Sequence, residues 1–207
     1  MIQPLEIDRN PTPGDQLFIE KGENLAWLNH AFQQFGNYAD CYQNCAITLI
    51  DDALQNTAQR DYKIYPIVFL IRHYFELRLK ELIQGINYLE KQTDEFPTGH
   101  QLQGLWATFQ KRYSDVVEKL DPADPVILSL TDLIDEISGL DPDSMTFRYP
   151  VDQKGKNYSR PEYIDLDNLR QVYLRCCKVL DSMAMQVSQY SESLSEILSE
   201  TYDYYNE

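Results

Sequence analysis

The sequence predicts an all-α protein, an antiparallel helical bundle that ends in a long C-terminal helix. Gly and Pro number only 8 and 10 among 207 residues, and they gather at positions 4–14, 97–104, 122–125 and 142–161. The long segments between these positions carry apolar residues three and four apart, which is typical of amphipathic helices, and they lack the alternation of strands. Each group of Gly and Pro therefore marks a boundary between helices.

Two amphipathic helices are predicted before residue 60. The first covers about 23–36, where Leu25, Leu28 and Phe32 recur at helical spacing. The second covers about 37–59. Its predicted interior positions are Tyr38, Cys41, Cys45, Thr48, Leu49 and Leu54.

The third helix is predicted to be the centre of the bundle. It starts after Pro66, because proline suits a first turn whose N–H groups have no helical partner. It continues to about residue 91 with apolar side chains on more than one side, including Phe69 and Leu77. Shorter helices are expected at about 102–119 and 125–137.

The last helix has the most regular pattern in the chain. Its apolar positions are Leu166, Leu169, Tyr173, Cys176, Leu180, Met183, Val187, Tyr190, Leu194 and Ile197. Such a repeat keeps one seam facing a partner over a length of roughly 50 Å or more. Two interpretations are open: the seam packs entirely within its own chain, or it also meets a second copy in a homodimer.

The domain organisation follows from these patterns. We divide the chain into an extended segment at 1–22, a helical bundle at 23–190 and an acidic C-terminal helix end at 191–207. Residues 191–207 carry no Lys or Arg, which is typical of a solvated helix end. The three tyrosines in this last segment leave a peptide-like partner motif as the alternative.

Composition excludes several classes of protein. The chain has 18 Lys and Arg against 33 Asp and Glu, a formal charge of −15, so any surface for nucleic acid must be confined. It contains no run of roughly 18 apolar residues that would span a membrane. The first residues resemble no signal peptide, and we expect a cytoplasmic protein.

The sequence also lacks the common motifs of metal and cofactor binding. The four cysteines lack the C-x2-C spacing of a zinc site, and we expect them to be small, reduced, buried side chains. The chain has no Gly-rich phosphate loop, no G-x-S-x-G and no H-E-x-x-H. The sequence therefore predicts neither a metal ion nor a cofactor.

The densest polar cluster interrupts the apolar central helix. Arg72, Glu76 and Lys80 stand at i, i+4 and i+8, and His73 precedes Glu76 by three positions. One interpretation is an exposed ladder of weak ion pairs. The other is a polar site at the edge of the core, in which Glu76 orients His73 or Arg72 toward a ligand.

Two further segments carry candidate site residues. The loop at about 139–163 is long enough to suggest a function. In it, Phe147 and Tyr149 are candidates to anchor the loop, and Arg148 is a candidate to bind an anion or a carboxylate such as Glu76. His100 lies just before a helix. There it is a candidate cap or, like His73, an acid or base that titrates near neutral pH.

These segments together resemble the HEPN superfamily of helical-bundle proteins. The similar residues are the run from Leu70 to Lys80, Gly99-His100-x-Leu102, and Phe147-Arg148-Tyr149-Pro150. The resemblance implies a bundle that commonly dimerises and serves toxin–antitoxin or antiviral systems. Many members are metal-independent RNases, and some pair with a small nucleotidyltransferase.

The chain departs from the RNase signature of that superfamily. The signature is an Arg followed after four to six residues by a His, whereas Arg72 and His73 are adjacent. We therefore expect a binding or regulatory subunit, with an endoribonuclease as the alternative. In the alternative, His73, Arg72, Glu76 and His100 are the catalytic candidates. Arg148, Tyr149 and Lys80 are the candidates for ligand binding.

The expected partners follow from the same resemblance. They are a second copy of the chain and a protein such as a nucleotidyltransferase antitoxin. RNA is expected only at a confined site, and no membrane is expected.

Overall fold

The structure, a computed structural model, describes residues 10–18, 20–27, 34–91, 96–117, Asp121 and 123–206, without the side chains of 91 and 199–206. The chain divides into two compact units, Met1–Ala31 and Phe32–Glu207.

The described part of the first unit contains turns and bends and no helix. The helix predicted at 23–36 is therefore wrong over 23–27, whereas Leu28 and Phe32 lie outside the described residues. Leu25 and Trp27 are 60% and 83% exposed. A helix gains most of its stability by burying its apolar face, and these two side chains have no surface that covers them.

The second unit contains five α-helices among the described residues. They are α1 (Phe35–Gln55), α2 (Arg60–Lys91), α3 (Leu102–Val116), α4 (Pro125–Leu140) and α5 (Leu166–Asn206), with a short 3-10 turn between α1 and α2. The described residues include no strand beyond a single bridge between Val151 and Asn157. The prediction of an all-α protein is confirmed.

The central helix is α2, and α1 returns along it in the opposite direction. Asp40 near the start of α1 pairs with Arg78, whereas Asp52 near its end pairs with Lys63 near the start of α2. The helix starts at Arg60, earlier than predicted, so that Pro66 lies inside it. Its first residue is held by α1, because the Arg60 guanidinium donates to the last-turn carbonyls of α1.

The other neighbours of α2 complete the bundle. Tyr74 packs on Tyr173, and Tyr88 bonds Ser195, so α5 runs parallel to α2. The α3–α4 pair is antiparallel, and Trp106 donates a hydrogen bond to Thr131 across it. The start of α3 lies near Arg72 and its later residue Arg112 near Asn87, so α3 also runs parallel to α2. The connection at 141–165 leads from the end of α4 to the start of α5.

Apart from Ile50, the buried residues of α1 are small, and none of them is among the predicted interior positions. Ala39, Ala46 and Ala53 are fully buried, whereas Tyr38 is 48% exposed and Cys41, Cys45 and Thr48 are also exposed. Small side chains let α1 approach α2 closely. Tyr38 is thereby turned to the surface, whereas Leu49 and Leu54 are half-buried and pack against the core as predicted.

The α5 seam packs within its own chain from Leu166 to Val187, where most of its side chains are buried. Beyond Val187, exposure rises, and Tyr190 and Ile197 are 48% and 59% exposed. In the part of the chain that the structure describes, no helix combines the length and apolarity that crossing a bilayer requires.

Candidate functional site

The polar row of α2 lies inside the protein. Arg72, Glu76 and Lys80 are 0%, 3% and 8% exposed, so the interpretation as an exposed ladder of ion pairs is wrong. This side of α2 faces the residues that lead into α3 and those that follow α4. The alternative placed the row in a polar cluster at the edge of the core, and this placement agrees with the burial of the three side chains. Its further part, that Glu76 orients His73 or Arg72 toward a ligand, stays a prediction.

The Glu76 carboxylate is the centre of this site. Its Oε2 accepts a hydrogen bond from Arg72 Nη1 at 2.7 Å. Its Oε1 lies 2.9 Å from Lys80 Nζ and 2.7 Å from His100 Nδ1. Burial by itself would raise the pKa of Glu76, but the hydrogen bonds from Lys80, His100 and Arg72 outweigh it and hold the pKa below its usual value. We call these four residues the Glu76 cluster.

Arg72 joins three parts of the fold. Beside its bond to Glu76, its Nε donates to the carbonyl of Asp141 at 3.2 Å, and its Nη2 donates to the carbonyl of His100 at 2.5 Å. The guanidinium therefore connects α2 with the end of α4 and the segment that leads into α3. Because it is fully buried and bonded on all three nitrogens, it has no free edge for an external phosphate.

His100 is the part of the cluster that reaches the surface. Its side chain is 73% exposed, although Nδ1 is held by Glu76. The preceding Gly99 has a φ of 91°, a conformation that glycine adopts without strain. His100 does not cap α3, because the cap position belongs to Gln101. Since a carboxylate only accepts, Nδ1 carries a proton in this hydrogen bond, and in the neutral form of the ring Nε2 is then the acceptor.

His73 lies on α2 beside the cluster but does not hydrogen-bond to Glu76. Its ring stacks on Phe69 at a centroid distance of 5.8 Å and meets the edge of Tyr42 at 4.4 Å. Burial lowers the pKa of His73. The negative charge of Glu76 opposes this shift, whereas the positive charge of Arg72 adds to it. The ring is thus neutral at neutral pH.

Arg148 lies on the surface above this aromatic group. Its guanidinium is 5.5 Å from the centre of the Phe69 ring, and its Nε donates to the carbonyl of Ser144 at 2.6 Å. The ion pairs among the described residues include none to Arg148. The hypothesis that Arg148 pairs with Glu76 is therefore wrong.

The loop that carries Arg148 is anchored by one of its two predicted aromatic residues. Phe147 is 6% exposed, whereas Tyr149 is 53% exposed. Arg160 fixes the loop from the other side by donating from Nε to the carbonyl of Thr146 at 2.9 Å. The guanidinium of Arg148 also lies 5.8 Å from the Tyr149 ring, so these two candidate ligand-binding residues share one surface.

The sequence reasoning missed Asp141, which is fully buried at the end of α4. Its carbonyl accepts from Arg72, and its Oδ1 accepts the Thr146 N–H at 2.9 Å. These hydrogen bonds form a turn at the end of α4. An Asp followed by Pro at the end of a predicted helix is typical of a turn, and this was the signal in the sequence. Asp141 thereby sets the position of the loop that presents Arg148.

Two observations bound the chemistry of this region. The described residues contain no group of three His, Cys, Asp or Glu side chains that could hold a metal ion. A cavity of about 670 Å³ lies elsewhere, between the first turns of α2 and α5, with Tyr65, Tyr158 and Arg160 in its walls. The Glu76 cluster reaches the surface through the exposed His100 ring, whereas its carboxylate is buried.

Comparisons with protein-family models, with curated proteins and with solved structures find no match to this chain.

Proposed function

We propose that this chain is a HEPN-like binding or regulatory subunit of a prokaryotic defence or toxin–antitoxin system. The surface that binds is formed by His100, Arg148 and Tyr149, over the buried part of the Glu76 cluster. The setting rests on the resemblance of the α2 run, the residues before α3 and the loop after α4 to that superfamily.

The observation that carries the proposal is the burial of Arg72. A catalytic Arg must place its guanidinium on the phosphoryl oxygens that gain charge in the transition state. Arg72 is 0% exposed and donates to Glu76, Asp141 and His100 instead. It acts as an internal cross-link that holds His100 and the Arg148 loop in place for recognition.

Arg148 supplies the charge for this recognition. It is exposed on a protein of net charge −15, and its described hydrogen bonds go to Ser144 and Met145 rather than to a carboxylate. An acidic segment of a partner protein, or an anionic ligand that it carries, fits this cation. The guanidinium of Arg148 makes cation–π contacts with the rings of Phe69 and Tyr149.

Copurification tests the proposal. The tagged chain, expressed in its native host, is expected to retain a partner in fixed stoichiometry, and Arg148→Glu is expected to lose it. Arg175→Glu is the matched control, because Arg175 is exposed on α5 away from the loop. Equal retention of the partner by both variants, or no partner with the wild type, would contradict the proposal.

A metal-independent endoribonuclease is the second candidate, and the exposed His100 ring favours it. Glu76 holds Nδ1, which leaves Nε2 to take a proton from a ribose 2′-hydroxyl. The test incubates structured and unstructured RNA with the protein in EDTA. Cleavage by the wild type that is lost in His100→Ala would establish the nuclease. Cleavage unchanged in both His100→Ala and His73→Ala would indicate a contaminant.

A further inference from the structure

A groove of about 330 Å³ lies between α4 and α5, and we call it the α4–α5 groove. Leu133, Ile137 and Leu140 form its wall on α4, whereas Leu169 and Val172 form its wall on α5. All five side chains are half-buried. Because α4 packs mainly on α3, and α5 packs on α2 and α1, the two walls border open space instead of packing into each other.

The floor of the α4–α5 groove is the central helix. Val68, Ile71 and Phe75 line it and are 5%, 3% and 4% exposed, so a molecule in the groove would touch the core of the bundle. Pro161 and Ile164 line it near the start of α5. The groove is therefore apolar on its floor and both walls, and its volume lies within the range of about 300–1,000 Å³ that is typical of small-molecule sites.

The charged residues of the groove are all acidic. Glu136 on α4 and Asp165 before α5 carry carboxylates, and none of the described residues that line the groove is a Lys or Arg. Asp165 Oδ1 accepts the N–H groups of Asp167 and Asn168, whereas the hydrogen bonds and ion pairs of the described residues include none to the Glu136 carboxylate. Since Glu136 is exposed, it lies at the rim, where a positive group of a ligand can reach it.

We propose that the α4–α5 groove binds a small organic amine with an aliphatic body. The body replaces water against the floor and walls, and the ammonium group pairs with Glu136 at the rim. A carboxylate in place of the ammonium group would be repelled by Glu136 and Asp165. The proposal uses no residue of the Glu76 cluster and neither Arg148 nor Tyr149. It therefore goes beyond the function proposed above and holds or fails independently of it.

The length of the aliphatic body tests the apolar contact. Octylamine and hexylamine, both cations at pH 7, are titrated into the full chain by isothermal titration calorimetry. Each buried methylene group strengthens binding by roughly fourfold. Octylamine, which has two more methylene groups, is therefore expected to bind about 15-fold more tightly than hexylamine.

The head group tests the role of Glu136. Octylamine, octanol and octanoate share one octyl chain and differ in charge. Because an exposed ion pair is weak, octylamine is expected to bind about threefold more tightly than octanol, and octanoate is expected to bind most weakly. Glu136→Gln should remove the advantage of octylamine over octanol. Asp135→Asn is the matched control and should keep it, because Asp135 accepts a hydrogen bond from Gln103 on α3.

A substitution that fills the groove locates the site. Ile137→Trp is expected to weaken octylamine binding by at least about tenfold, because the indole ring takes up the space of the aliphatic body. Leu128→Trp is the matched control and should bind normally, since Leu128 is 50% exposed on α4 and does not line the groove. Far-UV circular dichroism checks that each variant keeps its helix content.

Four results would overturn the proposal. One is no binding of octylamine, or equal affinity for octylamine and hexylamine. The second is equal affinity for the three octyl ligands, or an unchanged preference in Glu136→Gln. The third is an equal effect of Ile137→Trp and Leu128→Trp. The fourth is a wild-type homodimer, measured by light scattering, that dissociates in Ile137→Trp, because a second copy of the chain would then occupy the groove.

Discussion

Replacing Glu76 with Ala tests the energetic role of the buried carboxylate. The substitution leaves Arg72 and Lys80, which are 0% and 8% exposed, without the carboxylate that both contact. Removing one partner of a buried ion pair costs about 3–5 kcal/mol, chiefly because the remaining charge is desolvated and unpaired. Since a native domain is stable by only about 5–15 kcal/mol, we expect a large loss of the free energy of unfolding.

Urea denaturation at pH 7, followed by far-UV circular dichroism, measures this loss. Asp52→Ala is the control, because it removes the pair with Lys63 at a carboxylate that is 55% exposed, and such pairs contribute within about 1 kcal/mol. A loss in Glu76→Ala no larger than that in Asp52→Ala would refute the reasoning.

The same carboxylate predicts a pH dependence. Because the pKa of Glu76 is lowered below its usual 4.5 in the folded protein, its contribution is complete above about pH 4.5 and is lost as the pH falls toward the folded value. Glu76→Gln has no proton to bind at this position. We therefore expect its free energy of unfolding to fall less steeply below pH 4.5 than that of the wild type.

Three other predictions concern stability and reactivity. Because burial lowers the pKa of His73 from 6.5, only the unfolded chain gains its proton as the pH first falls below 6.5. Stability should therefore decrease there, and less so in His73→Phe, as urea titrations at several pH values will show. Gly85→Ala should destabilise by about 1–3 kcal/mol, because its Cβ would overlap an α5 side chain. Gly104→Ala has open space and should stabilise by about 0.5–1 kcal/mol in thermal melts. A thiol reagent should modify the exposed α1 cysteines quickly. It should modify Cys176 and Cys177, whose pKa values burial raises to about 11 and about 12, only on unfolding; rapid reaction of all four would contradict this assignment.

Helical spacing identified the helices of the second unit well, because their apolar faces pack within the chain. The start of α3 at Leu102 was predicted correctly, and the apolar pattern of the last helix begins at Leu166, where α5 begins. The start of α2 was not, since Arg60 is held there by carbonyls of α1. Such a contact between helices leaves no signal in local spacing.

The orientation of α1 could not be read from hydropathy alone. Its pattern pointed to Tyr38 and Cys41 as interior residues, but the close contact with α2 favours Ala39 and Ala46. Gly85 is a similar case. It is a weak helix former by propensity, yet it is placed where Val187 of α5 approaches the backbone of α2.

The composition of the candidate site was partly visible in the sequence. The i, i+4 spacing placed Arg72, Glu76 and Lys80 together correctly. The contact of His100 with Glu76 spans 24 positions, and it depends on how the chain returns after α2. Arg148 lies outside the Glu76 cluster, and its Nε donates to the Ser144 carbonyl instead. This bond depends on the fold of the loop and could not be predicted from spacing.

The tautomer of His100 tests most directly whether Glu76 holds this ring at the surface. Long-range ¹H–¹⁵N correlation spectra at a pH where the ring is neutral distinguish a proton on Nδ1 from one on Nε2. The hydrogen bond to Glu76 Oε1 at 2.7 Å predicts the Nδ1-protonated form in the wild type. A neutral ring protonated on Nε2 would contradict the account, because Nδ1 could then donate nothing to the carboxylate.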